Sequence, residues 1–247
     1  LRRTGRKAQQ TMKPICVIPA RAGSKRVPGK NMRLLGGEPL VQWITEAALQ
    51  ADIFEKVYIS TDAPEMLESQ WVDATYDMWR WEFEILKRPP ELSGDDVRAE
   101  EVFKYVVEGL SEDRPDIVCM AMPTAPFTSP ESLRNAYRLM VNCDYDGVFL
   151  AVRTPFKTQR TVELTDEGVV VPVSRSWLDM DKQSQDLNPT YRPTYGGMFI
   201  KTGELLATTG YYAPHNQGMY EVEHPEGIDI DTEKDFAKAE LIVADRC

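Results

Sequence analysis

PICVIPA, Pro14 to Ala20, followed at once by RAGSKRVPGKN, Arg21 to Asn31, is the stretch on which the reading of this chain turns. The first part is short, apolar and partly β-branched, the composition of a strand buried on both faces. The second holds four cations, Arg21, Lys25, Arg26 and Lys30, with Ser24 and two glycines, Gly23 and Gly29. A buried strand opening into such a loop can aim backbone N–H groups and positive charge at an anion. A triphosphate carries several negative charges, so converging cations suit it. The P-loop of NTPases is excluded by register. Five residues separate Gly23 from Gly29, one more than that motif allows, and Asn31 follows Lys30 where Ser or Thr belongs. Pro28 also interrupts the cradle.

Outward from this stretch, Pro39 to Ala51 carries apolar residues at Leu40, Ile44, Ala47 and Ala48, a helical spacing. KVYIST, Lys56 to Thr61, reads as a second strand, which completes a βαβ unit of a parallel sheet. Helices are predicted over Glu65 to Tyr76, Glu100 to Leu110 and Pro130 to Val141, the last with Ser129 as N-cap. Strands are predicted over Asp116 to Pro123 and Asp146 to Val152. A C-terminal helix capped by Thr232 runs toward Ala244. The section from Arg153 to Pro193 differs in texture: short strands and loops, with a hairpin around Asp166-Glu167-Gly168, before GGMFI returns to strand character. Residues 12–247 therefore read as one α/β domain, with 153–193 as an excursion that covers the site or mediates dimerisation. The aromatic run from Trp71 to Trp81 reads as packing or an interface.

Composition bounds the function. The net charge is −10, yet the leader contributes Arg2, Arg3, Arg6 and Lys7 without an acid, leaving 25 basic against 39 acidic residues, or −14, in the body. A body that acidic lacks the field to displace phosphate counterions, which disfavours nucleic acid. No apolar run approaches the ~18 residues of a membrane span. The leader has no apolar core behind its basic residues, so it does not read as a secretory signal, and residues 1–11 read as an upstream extension. The expectation is a soluble, cytoplasmic protein. Four scattered cysteines without a CxxC pair, and two histidines distant from them, argue against zinc and against a disulfide framework.

Near the C-terminus, IDID places Asp229 and Asp231 two residues apart, on one face of an extended strand. Two hard oxygen donors side by side suit Mg²⁺, which takes one or two carboxylates and leaves room for phosphate and water. A plain acidic strand end before the Thr232 cap is the alternative. The cationic loop favours the metal, because nucleotide chemistry needs both parts.

IPARAGSKRVPGKN, followed by LGGEPL, resembles the N-terminal signature of the acylneuraminate (CMP-sialic acid, nonulosonate) cytidylyltransferases. Further similar segments run from about Lys13 to Ala244: ISTDAPE, RPPELSGDD, MPTAPFTSPESL, QDLNPTYRPTYGGMFI and GIDIDTEKDF. The resemblance implies a Rossmann-like nucleotidyltransferase fold, a mostly parallel central sheet flanked by helices with a small inserted dimerisation or lid segment. It implies a cytoplasmic homodimer that uses Mg²⁺ on Asp229 and Asp231, takes CTP and an acidic sugar, and releases pyrophosphate. Arg21, Lys30 and Asp231 match the catalytic positions. Ala20, Arg21, Ala22, Gly23, Ser24, Lys25, Lys30, Asn31, Arg88 and Ser93 match the nucleotide side, with Asp95 a weaker match. Gln185, Tyr191 and Arg192 match the sugar side. Arg26 is equally well read as facing solvent.

The chain departs from the family pattern mainly on the acceptor side. Met122 stands where the pattern has Gln before PTSP, and Thr128 replaces the arginine of PLR. Ser184 replaces the arginine opening RQxLP, and Thr194-Tyr195 replaces the asparagine of RPNG with one residue inserted. An N-acylneuraminate, pseudaminate or legionaminate are all compatible acceptors. The alternatives are a nucleotidyltransferase acting on a phosphonate, a 3-deoxy-octulosonate or a sugar-1-phosphate, or a non-catalytic nucleotide-sugar-binding homologue.

Overall fold

β1 (Ile15–Pro19) is buried along its whole length because both of its faces are covered. Cys16 and Ile18 point into one hydrophobic cluster, Ile15 and Val17 into another on the opposite side of the sheet. The computed structural model describes residues 13–63, 83–110, 114–174, 176–208 and 215–245. The expected helix over Glu65 to Tyr76 and the aromatic run from Trp71 to Trp81 lie outside them.

The remaining strands are β2 (Leu34–Leu35), β3 (Glu38–Pro39), β4 (Lys56–Thr61), β5 (Phe83–Lys87) and β6 (Ile117–Met120). They continue with β7 (Gly147–Arg153), β8 (Val162–Leu164), β9 (Val170–Pro172), β10 (Tyr191–Lys201) and β11 (Gln217–Val222). The helices are α1 (Leu40–Gln50), α2 (Ala99–Gly109), α3 (Pro130–Cys143), α4 (Leu178–Asp181), α5 (Thr202–Ala207) and α6 (Glu233–Ala244).

Seven strands form one sheet in the order β11-β7-β10-β6-β1-β4-β5, with β10 antiparallel to β6 and β7 and the other pairings parallel. This is the mostly parallel α/β sheet expected of the sequence. Side chains of α1 and α3, among them Ile44, Leu133 and Met140, fill one face of the sheet. Phe103, Val106 and Val107 of α2, with Leu205 of α5, fill the other. Ser129 caps α3 by accepting a hydrogen bond from Ser132 N at 3.1 Å, and Thr232 caps α6 through a reciprocal box with Asp235.

A third cluster joins the ends of the chain. Val27 from the cationic loop and Leu40 pack with Phe127, Ile230, Phe236 and Val243. The Arg33 guanidinium lies 3.9 Å from the Phe236 ring centroid. This cluster seats α6, and the acidic segment before it, against the loop after β1.

The excursion carries the expected hairpin, β8 against β9, turning through Gly168 at φ 74°. Two strands of the seven-stranded sheet had no sequence counterpart, β5 and β11, nor did the short β2–β3 pair. β10 is also longer than GGMFI, beginning at Tyr191 and passing through Pro193. A register slip lies between Pro193 and Met198, and Pro193, which has no N–H to give the ladder, is the last residue paired with β7 before it.

Candidate active site

The carboxyl ends of β1, β4, β5 and β6 open toward the same crevice, the place where parallel α/β sheets hold ligands. The loop after β1 is tied down there. Thr61 Oγ1 donates to the Ala20 carbonyl at 2.5 Å, and Ala22 N–H donates to Asp62 Oδ1 at 2.8 Å. Asn31 Nδ2 donates to the Arg21 carbonyl at 2.9 Å, which closes the loop on itself. Gly29 sits at φ 62° and turns the chain into a short 3₁₀ segment, Lys30–Met32. A side chain at Gly29 would strain that turn.

The cations divide into two groups. Arg21 and Lys25 converge on Asp95, at 2.8 and 2.6 Å, and hydrogen bonds from Lys25 and then Arg21 hold that carboxyl below the usual range. Arg26 and Lys30 converge on Asp231 instead, at 2.9 and 3.7 Å. Arg26 thus belongs to the site as well as to the surface. Lys30 Nζ also donates to the Ile230 carbonyl at 2.8 Å, a bond that spans 200 residues of sequence. Burial pushes the Lys30 ammonium pKa down, while Asp231 and Asp229 pull it the other way. Arg88 is buried below, donating through Nη2 to the Ser60 carbonyl at 2.6 Å.

The acidic segment differs from expectation in one respect. Residues 228–231 pair in no ladder of the sheet. They are held instead by bonds from Ile230 N–H to the Thr124 carbonyl, 2.8 Å, and from Ile228 N–H to the Pro225 carbonyl, 3.0 Å, besides the bond from Lys30, with the Ile230 side chain fully buried beside Phe236. Burying the residue between them directs Asp229 and Asp231 into the same cavity, so the alternation survives without the strand.

Burial raises the Asp229 carboxyl pKa above the ordinary range, with Thr124 hydrogen-bonding it in opposition and Asp231 adding repulsion. Its Oδ1 is buried and has no hydrogen-bond partner. A buried carboxylate oxygen without a donor, beside a second carboxylate, fits a divalent cation. Among the described residues no group of three or more His, Cys, Asp or Glu is positioned to hold a metal. The donor set is therefore the pair alone, which suits an ion completing its shell with phosphate and water.

Two adjoining cavities meet at these groups. The first, about 440 Å³, is lined by Arg21, Gly23, Ser24, Lys25, Asn31 and Arg88, and the second, about 480 Å³, by Asp229, Asp231 and a largely apolar wall. Arg26, Lys30, Ala99, Met122 and Thr124 line both. A molecule in one cavity would thus meet a molecule in the other across Lys30 and the carboxylates.

Most of the expected nucleotide residues line the first cavity. Ala20, Ala22 and Ser93 do not. Ala20 and Ala22 anchor the loop through their backbones, and Ser93 Oγ donates to the Pro89 carbonyl at 3.1 Å. Of the expected sugar residues none lines either cavity. Gln185 is exposed on the excursion and donates to Gln183 Oε1, Tyr191 hydrogen-bonds Glu221, and Arg192 Nη2 donates to the Gly227 carbonyl. Arg192 nonetheless lies near enough to Asp229 to stabilise its charge. Sequence reasoning missed Thr124, Arg98 and Glu100, whose only signal was proximity to segments already of interest.

The sheet, with its one reversed strand and its paired cavities at the carboxyl ends, defines an α/β protein of the nucleotidyltransferase class. The likeness in fold extends to a solved CMP:2-keto-3-deoxy-manno-octonic acid synthetase complexed with CTP, with a TM-score of 0.70, 18% identity, and coverage of 96% of this chain and 100% of the other. The cytidylyltransferase family model matches residues 15–244, and the chain belongs to that family. Among its relatives is the N-acylneuraminate cytidylyltransferase of Streptococcus agalactiae serotype V, 28% identical over 227 residues, 91% of this chain and 52% of that protein. The chain spans about half the length of that relative. The pseudaminic acid cytidylyltransferase of Campylobacter jejuni is 29% identical over 233 residues, 94% of this chain and 96% of its own length.

Proposed function

We propose that the chain transfers CMP from CTP to an acidic sugar of the nonulosonate type, with release of pyrophosphate. The observation that carries this reading is the bond from Lys30 to the Ile230 carbonyl. It joins the cationic loop to the carboxylate pair at the seam of the two cavities. The names of relatives at similar identity, active on N-acylneuraminate and on pseudaminic acid, support the substrate class and leave its member open.

In this reading CTP fills the first cavity and the acceptor the second. An acceptor hydroxyl attacks the α-phosphorus and gives up its proton to water as its O–P bond forms, and the bond to the departing pyrophosphate breaks. Arg21 and Lys30 hold the phosphates and neutralise charge as pyrophosphate leaves, which is work of positioning and electrostatics. Lys25 and Arg26 add positive charge on either side. Asn31 fixes the Arg21 backbone, and Gly23 leaves space for phosphate oxygens close to the chain. Asp229 and Asp231 are the residues to hold Mg²⁺, which when bound screens the phosphate charge and lowers the pKa of an oxygen it touches.

The reading includes a homodimer of single-domain protomers acting in the cytoplasm, and the excursion supports the dimer. The excursion exposes Phe156, Leu164, Val173, Trp177 and Leu178 together with the β8–β9 hairpin, apolar side chains that a partner surface could cover. Gln185, and with it an acceptor role, rides on that segment. No helix among the described residues is long and apolar enough to cross a membrane.

Pyrophosphate release with CTP, Mg²⁺ and a panel of acidic sugars tests the proposal. Release with at least one nonulosonate, abolished by EDTA, is expected. Retained CTP binding with no turnover of any acceptor would instead make the chain a non-catalytic homologue.

A further inference from the structure

The segment that carries the two carboxylates is laid along a single loop, residues 121–129 between β6 and α3. One tether runs from Ile230 N–H to the Thr124 carbonyl at 2.8 Å. A second runs the other way, from Ser129 N–H to Glu226 Oε2 at 2.9 Å. Residue 124 thus meets 230 and residue 129 meets 226, so segment and loop run antiparallel, with Asp229 between the tethers. The sheet presses on the same stretch. A Cβ at Gly227 would stand 2.8 Å from Val152 Cγ2 of β7, and Arg192 of β10 donates to the Gly227 carbonyl.

Glu226 is half-buried and lines neither cavity, so it touches no reacting group. Its carboxylate lies at the start of α3, where the free N–H groups of a helix favour negative charge. Resting on the function proposed above, we infer that Glu226 is a positioning residue of the reaction. Its bond to Ser129 N–H fixes the turn that delivers Asp229 and Asp231 as ligands of Mg²⁺. Without it, the end of the segment that leads into Asp229 rests on the Arg192 bond and the contact with Val152. Groups that orient a metal's ligands typically govern affinity or activity by about 10–100-fold.

The test compares Glu226→Ala, Glu226→Gln and Ser129→Ala by two readouts. One is pyrophosphate release with CTP, Mg²⁺ and a nonulosonate; the other is Mn²⁺ titration of the protein followed by electron paramagnetic resonance. Glu226→Ala is expected to lower kcat about 10-fold and weaken Mn²⁺ binding at least about fivefold, with KM for CTP little changed. Should that variant fail to fold, Glu226→Asp, which withdraws the carboxylate by one CH₂, carries the same expectation. Glu226→Gln keeps an oxygen for the Ser129 N–H and should stay within about threefold of wild type on both readouts. Ser129→Ala removes the side-chain cap of α3 and leaves the backbone tether, so it should cost stability and move neither readout. A Glu226→Ala variant with wild-type kcat and Mn²⁺ affinity overturns this inference and leaves the proposed function standing. So does a Glu226→Gln variant as impaired as Glu226→Ala, or a Ser129→Ala variant that loses as much kcat. Wild-type protein that releases no pyrophosphate with any nonulosonate overturns the proposed function, while the Mn²⁺ readout still judges Glu226.

Discussion

The two cavities are built by opposite means. The nucleotide side is made of loops at the ends of parallel strands, cross-tied by charge: Arg21 and Lys25 to Asp95, Arg26 and Lys30 to Asp231, Ala22 to Asp62. The 480 Å³ cavity takes its apolar lining from side chains of α2, β6, β7 and β10, and its charged lining from Arg26, Lys30, Arg98, Glu100, Asp229 and Asp231. Charge is long-ranged and tolerates small displacement, whereas apolar fit is short-ranged and does not. The ion-paired groups, Asp231 among them, should therefore govern turnover with every acceptor, and the apolar lining should govern which acceptor is turned over.

The largest expected effect breaks the comparison if it fails. Asp231→Asn removes one of the paired carboxylates and should lower kcat by at least about 100-fold with every acceptor, the loss typical when a group answering transition-state charge is removed. Pyrophosphate release under saturating CTP and Mg²⁺ measures it. Activity within about twofold of wild type would remove Asp231 from the chemistry.

Next in size is Gly196→Ala, in the slip of β10 between Tyr195 and Gly197 of the cavity lining. A Cβ there would stand 1.9 Å from Thr128 Oγ1 and 3.1 Å from its Cβ. Overpacking of this kind should cost about 1–3 kcal/mol, seen as a lower urea midpoint. Because the closest clash is with the hydroxyl, Thr128→Ala in the same chain should restore much of the loss. A double variant no more stable than the single one would show that the wall adjusts elsewhere.

Asp235→Ala sharpens the contrast from the other side, since α6 seats the carboxylate segment. Loss of the reciprocal cap should cost about 1 kcal/mol at neutral pH. The hydrogen bond from Thr232 depresses the Asp235 pKa, so its contribution is present above the ordinary carboxylate range and is lost as pH falls through the depressed value. Urea midpoints of variant and wild type should converge in acid. The smallest effect is that of Asp95→Asn. Asp95 occupies the two cations that a triphosphate would use, and exposed ion pairs are individually weak. The variant should lower KM for CTP by no more than about fivefold, and a raised KM would mean that Asp95 positions Arg21.

The same physical difference decides what was legible in the sequence. β1, its cationic loop, α1 and β4 could be read because burial on both faces and a cluster of cations leave local signatures. The Asp229–Asp231 pair was readable through its spacing, although the segment is held by Thr124 and a buried Ile230 and pairs in no ladder. Arg26 was ambiguous because its partner lies 205 residues away. β5 and β11 were missed because FEILK and QGMYEV mix polar and apolar residues at the sheet's edges, where one side of the strand goes unpaired. The acceptor wall was illegible for a stronger reason: Phe103, Met122, Phe149 and Tyr195 come from four separate segments and share no pattern. Thr128 shows the limit of motif comparison. At the place of an arginine it is a buried residue fitted against Gly196, bonded to the Ala125 carbonyl at 3.0 Å.

β10 runs against both of its neighbours, and its slip is confined between Pro193 and Met198. Paired residues on each side of the slip fix the ends, so a change in length or lettering inside it is absorbed on the spot and is not passed along the sheet. Tyr195 lies inside that slip. A change inside the slip would therefore reshape the cavity wall at Tyr195 while the alignment of β10 with β6 and β7 on either side is kept.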